Sequence, residues 1–158
     1  MAIRKILVEG DPLLNKVSRD VMEITPRIKV LIEDMIETMN DAQGVGIAAP
    51  QVGVLRRICI ITNAEMEPKV LINPEIIASE GEQNGSEGCL SIPGYVGEVV
   101  RPQKITVRYN NEDMKEIVED FEDFAAVVAS HEIDHLYGIL YRQKADQMYD
   151  LDDLQDEE

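Results

Sequence analysis

The chain holds only two histidines in 158 residues, and both fall in Ser130-His131-Glu132-Ile133-Asp134-His135-Leu136. An H-E-x-x-H run needs a helix, where positions i and i+4 stand about 5–6 Å apart on one face and both imidazoles can reach a single metal ion. Glu132, one residue round, can then take a proton from water at that centre. The segment predicts a helix over 124–137, with Glu122-Asp123 as N-cap and Gly138 ending it. Phe124, Val128, His131 and His135 recur at helical spacing, so the histidines continue the apolar face and point inward. Two core histidines with satisfied hydrogen bonds are the alternative, but the full triplet is specific enough to favour metal.

With no other histidine, a third protein ligand must be a cysteine or a carboxylate. A metzincin would carry its third histidine where this chain has Tyr141, although Gly138 is in place. A downstream glutamate ligand needs more chain than the 23 residues that follow His135. Cys89 is the better candidate. It lies in Glu87-Gly88-Cys89-Leu90-Ser91-Ile92-Pro93, where Gly88 permits unusual backbone geometry and Pro93 fixes a bend. A His2Cys set leaves the fourth position open, as in catalytic sites. The bland use of Cys89 is as a small buried hydrophobe, a role that Cys59, within Arg57–Ile61, fits much better.

Charge excludes some partners. The 31 acidic residues against 15 basic ones give a formal net charge of -16, which repels phosphate backbones and anionic lipid, so no direct nucleic-acid binding and no membrane partner are expected. No run approaches the roughly 20 apolar residues of a membrane span, and the first residues lack a signal-peptide apolar segment. Two cysteines are too few for a disulfide scaffold. A cytoplasmic protein is expected, with one catalytic domain over 1–145 and an acidic tail over 146–158. That tail carries seven acidic residues and no basic one, so nucleic-acid phosphates should repel it.

Thr25-Pro26 opens a helix, and Ile28, Leu31, Ile32, Met35 and Met39 form its apolar stripe before Gly44. Strand-like runs follow at 57–61, 69–73, 76–80, 96–100, 105–109 and 117–121, the last two separated by an Asn110–Asp113 turn. Their close spacing favours antiparallel pairing. The expected fold is α+β, with small antiparallel sheets packed around a central helix that carries the H-E-x-x-H motif.

One more segment needs a purpose: Gly44-Val45-Gly46-Ile47-Ala48-Ala49-Pro50-Gln51. Its G-x-G-x-x-A is a poor dinucleotide fingerprint, because a helix precedes it and Pro50 would break the next one. The glycines suit a backbone that runs close to a bound ligand, and the Gln51 amide could meet a developing oxyanion. A solvated loop glutamine is the alternative.

In this order and spacing, the Gly44–Gln51, Glu87–Ser91 and His131–His135 segments resemble the three signature motifs of peptide deformylases. The resemblance spans nearly the whole chain. It implies hydrolysis of the formyl group from N-formylmethionyl peptides, nascent chains at the ribosome, with release of formate. It implies Cys89, His131 and His135 as metal ligands, Glu132 as general base and acid, and Gln51 with the Leu90 backbone N–H as the oxyanion hole. Val45, Gly46 and Val128 match the pocket for the methionine side chain. Thiolate with imidazole suits Fe2+ or Zn2+; the likeness implies Fe2+ in the cell, replaceable by Ni2+ or Zn2+. Glu87 and Arg101 would pair to hold the cysteine loop, and Asp134 would either support the site or be solvated. Ser130 departs from the family, which usually has glutamine there. A monomer is expected. The rivals are a zincin-like endopeptidase and a non-catalytic metal-binding domain.

Overall fold

The computed structural model describes residues 2–63 and 65–152. Thr25 caps the first helix, α1 (Pro26–Asp41), by accepting the Ile28 N–H at 3.2 Å, and Pro26 sits in the first turn, where no N–H is needed. All five residues of the expected stripe are buried. Eight strands follow the same chain: β1 (Gly46–Ala48), β2 (Ile58–Thr62), β3 (Pro68–Glu80), β4 (Gln83–Cys89), β5 (Ile92–Arg101), β6 (Lys104–Asn110), β7 (Glu116–Glu122) and β8 (Ala145–Asp150). The second helix, α2 (Phe124–Leu136), lies between β7 and β8 and ends at Gly138, whose φ is +78°.

The strands form two antiparallel sheets, one ordered β1-β2-β3-β6-β7 and the other β4-β5-β8. Strand β2 shows how the large sheet is covered. Alternate residues point to opposite faces, so Cys59 and Ile61 pack in the cluster of α2 while Ile58 and Ile60 pack in that of α1. The α+β expectation holds, with α2 packed between the large sheet and β5 of the small one. A third cluster, built on Leu14, Ile92, Val99, Leu140 and Tyr141, seats the small sheet. Among the described residues no helix is long and apolar enough to cross a membrane.

Several local expectations change. The runs 69–73 and 76–80 are one strand, broken in register at Ile72/Glu75 and Ile76/Ala78, because Pro74 has no N–H to give the ladder. Asp123 does not cap α2: at φ +56° its carboxylate instead accepts from Gln103 Nε2. Phe124 leaves the inward face and is 63% exposed. The acidic stretch begins as structure, since residues 146–150 belong to β8 and pair along β5; residues 153–158 lie outside the described residues.

Candidate metal centre

Helix α2 is buried on nearly all sides from Ala126 to Leu136, because the large sheet covers one flank and the β4–β5 hairpin lies across the other. That hairpin carries Cys89. Cys89 pairs with Ile92 across a two-residue turn, Leu90-Ser91. Gly88 has no positive φ, and a Cβ there would make only ordinary contact at 3.8 Å, so the turn and not a glycine contortion aims the thiol. The Ser91 N–H lies 3.4 Å from Cys89 Sγ, and His135 Nε2 is also 3.4 Å from that sulfur. One donor atom each from Cys89, His131 and His135 falls within 4.8 Å of the others.

The surroundings orient these donors. His131 Nδ1 sits 2.9 Å from Glu87 Oε1, which leaves Nε2 for the centre and fixes the ring, as carboxylate partners do for metal-bound histidines. Arg101 grips Glu87 through two bonds of 2.8 and 2.9 Å, and both side chains are buried. The pair is thus a buried brace and not the exposed ion pair whose worth is usually small. Burial works against the Glu87 charge, but the hydrogen bonds from Arg101 and His131 win and hold its pKa at about 2. Arg101 also reaches Asp134 at 2.7 Å, and Lys144 donates to Asp134 at 3.2 Å, so Asp134 supports the site. Tyr141 stacks on His131 with ring centroids 5.7 Å apart. Gly97 makes room for that tyrosine, because a Cβ there would fall 2.8 Å from Tyr141 Cε2.

Glu132 is 5% exposed and lines a cleft of about 390 Å3 together with Val45, Gly46, Leu90, Val128 and His131. Its Oε1 has no protein partner among the described residues. Burial pushes its pKa up to about 7, with the His131 charge pulling the other way. Gly46 lies directly against this carboxylate: a Cβ at Gly46 would be 2.4 Å from Glu132 Oε2. The glycine that was expected to approach a ligand therefore also makes space for the acid.

Gln51 is 1% exposed in a short 3-10 turn, Ala49–Val52. Its Oε1 accepts the Ala48 N–H at 2.9 Å, which turns Nε2 toward Ser91 Oγ at 3.0 Å and Cys89 Sγ at 3.7 Å. The amide N–H group thus faces the cysteine side of the cleft. Sequence reasoning missed three supporting residues, Ser91, Tyr141 and Lys144. Ser91 lay inside a quoted motif and could have been found; the other two come from the segment after α2, whose return to the site no local pattern announces.

One thiol and two imidazoles in this cluster form a soft donor set that fits a divalent Fe or Zn ion, and the unpartnered Glu132 Oε1 supplies a proton acceptor beside it. The model of the polypeptide deformylase family matches residues 3–150. A peptide deformylase of Agathobacter rectalis is 55% identical over 146 residues, covering 92% of each chain, and one of Acetivibrio thermocellus is 49% identical over 157 residues, covering 98% of this chain and 91% of its own. The crystal structure of peptide deformylase from Thermotoga maritima superposes with a TM-score of 0.88 at 38% identity, over 92% of this chain and 99% of that one.

Proposed function

Because the chain belongs to the peptide deformylase family, metal-dependent hydrolases that remove the N-formyl group from nascent peptides, we propose that Cys89, His131 and His135 hold one divalent ion, Fe2+ in the cell, with Zn2+ or Ni2+ able to replace it. When bound, such an ion polarises the formyl carbonyl and lowers the pKa of water. The remaining chemistry falls to this chain's side chains. Glu132 takes the proton of the attacking water at its unpartnered oxygen and returns it to the departing amine. Gln51 Nε2 and the Leu90 N–H donate to the oxyanion that develops on the formyl oxygen; one such donor typically contributes about 3–4 kcal/mol of transition-state stabilisation. The Ala48 N–H holds the Gln51 amide so that Nε2 faces the cysteine side of the cleft, which supports this role. Val45, Gly46 and Val128 receive the methionine side chain, with the hydrophobic wall of α2 excluding water.

The supporting observation is the convergence of Cys89 with His131 and His135 in a cleft that also holds Glu132 and Gln51. The catalytic domain would run past the expected boundary at 145 to take in β8, which completes the small sheet, and would act as a cytoplasmic monomer on nascent chains. The test is release of formate from formyl-Met-Ala by anaerobically purified, metal-analysed protein. Cleavage of internal peptide bonds without formate release would point to an endopeptidase, and a fully metallated but inert protein to a binding domain.

A further inference from the structure

A second cleft, about 840 Å3 and larger than the one that holds Glu132, opens beside the start of α1. Its floor is core: Val21, Ile28 and Leu31 are buried and belong to the cluster of Ile58 and Ile60, whereas α2 packs with Cys59 and Ile61 on the other face of β2. The chain that leads into α1 forms one wall, and hydrogen bonds fix it. Asn73 accepts the Val21 N–H and donates to the Val21 carbonyl, both at 2.8 Å. The Arg19 N–H donates to Leu55 at 3.0 Å, and the Arg19 carbonyl accepts the Arg57 N–H at 2.8 Å. The wall therefore needs no ordering when something binds. From it Met22 projects with 84% of its surface exposed, and Val30 of α1 is 46% exposed. Apolar side chains left in solvent beside an open core floor mark an interaction site, and methionine adapts its shape to what it meets.

Charge narrows the occupant. Arg4, Arg57, Arg101, Arg108 and Arg142 each lie within 3.3 Å of a carboxylate oxygen. Arg19, Arg27 and Arg56 pair with none among the described residues, in a chain with 31 acidic residues against 15 basic ones. These three gather at the cleft, since Arg27 and Arg56 line it and Arg19 is the bridge partner of Arg56. Arg56 reaches only the Asp20 backbone carbonyl, at 3.4 Å. Glu23 is the sole carboxylate in the lining among the described residues.

We propose that this cleft docks an amphipathic segment of a partner protein, apolar on the face it buries and carboxylate-bearing along the edge that meets Arg19, Arg27 and Arg56. Such a segment matches both the apolar floor and the unpaired guanidinium groups. A nucleic acid fits less well, because no aromatic side chain lines the cleft for bases to stack on. A polyanion also extends past the cleft onto a surface of net charge -16, whereas a few carboxylates stay within a Debye length, about 8–10 Å, of the arginines.

The probe is a synthetic peptide of leucine and glutamate, with leucine at i, i+3, i+4 and i+7 so that a helix carries one apolar face. Its binding to the metal-loaded protein is followed by the Met22 methyl resonance, assigned by its absence from M22L. The resonance shifts with a Kd below about 1 mM. The double variant R27E/R56E weakens binding about tenfold, as expected for reversing two exposed ion pairs, while its circular dichroism and its formate release stay at the wild-type level. Replacing glutamate by glutamine, or leucine by serine, abolishes the shift. A Met22 methyl that ignores the leucine-glutamate peptide overturns the docking site, and so does an equal shift with the glutamine peptide, since the arginines would then be idle. A shift with a single-stranded RNA but not with the peptide gives the cleft to another occupant and overturns the proposal. So does a dimer of the protein alone, seen by sedimentation, that R27E/R56E disperses.

Discussion

Glu132 and Cys89 stand in the same cleft but carry separable loads, and substitution distinguishes them. Glu132→Ala removes the proton acceptor and leaves the three donor atoms in place, so kcat should fall roughly 100- to 10,000-fold while metal content, read by elemental analysis, stays at the wild-type level. Cys89→Ala should reverse that pattern by losing the metal, and full retention would remove Cys89 from the ligand set. Gly46→Ala tests a finer point: its new methyl group collides with the Glu132 carboxylate, so turnover drops with metal retained, and an unchanged kcat would mean that the acid can move aside freely. Arg101→Met strands a buried Glu87 and should cost about 3–5 kcal/mol in urea denaturation. The grouping of Cys89 with His131 and His135 was legible in the sequence because histidine is so scarce here that elimination could act. Arg101, Asp134 and Lys144 were less so, because whether an ion pair is buried depends on tertiary packing. The family resemblance paired Glu87 with Arg101, but nothing in the sequence hinted that both lose nearly all contact with solvent.

Helix signals survived the passage from sequence to structure better than strand signals did. The α1 stripe and its Thr25-Pro26 start are local features that packing merely exploits. By contrast β4 reads Gln-Asn-Gly-Ser-Glu-Gly-Cys, without a single β-branched or aromatic residue, and is a strand only because β5 pairs with it. Strand β8 looked like the start of an acidic tail for the same reason: Ala-Asp-Gln-Met-Tyr-Asp has no clear alternation until β5 lies beside it. The attachment of the N-terminal segment to α1 is a similar tertiary matter, and it makes a pH prediction. Asp34 accepts the Ala2 N–H at 2.7 Å and the Arg4 Nε–H at 2.9 Å, and these bonds, the Ala2 one foremost, lower its pKa. A depressed folded pKa means that the contribution is present above the unfolded value of about 3.9 and is lost as pH falls through the folded one. Asp34→Asn should therefore flatten the decline of stability below about pH 4, and superimposable acid-unfolding curves would argue against the attachment.

At the scale of the molecule, charge is distributed unevenly along the chain. Residues 1–60 carry eight acidic and eight basic residues, so the whole formal charge of -16 falls on residues 61–158. That half supplies Cys89, His131 and Glu132. The cleft that must meet a nascent chain is thus lined mainly by the half that ribosomal phosphates repel, with Gln43–Gly46 and Gln51 coming from the neutral half, and salt can tell this repulsion from intrinsic catalysis. The Debye length is about 10 Å at 0.1 M and shrinks as salt is added. Formate release from formyl-Met-Ala, a small free peptide, should respond weakly to salt between about 0.05 and 0.2 M. Release from ribosome-bound formylated chains should rise over the same range, because screening removes the barrier to approach. A steady fall with salt on ribosomes, set against a flat response on the free peptide, would instead require an attractive contact from the neutral half, and the arginines at positions 19, 27 and 56 would then be the residues to reverse in charge.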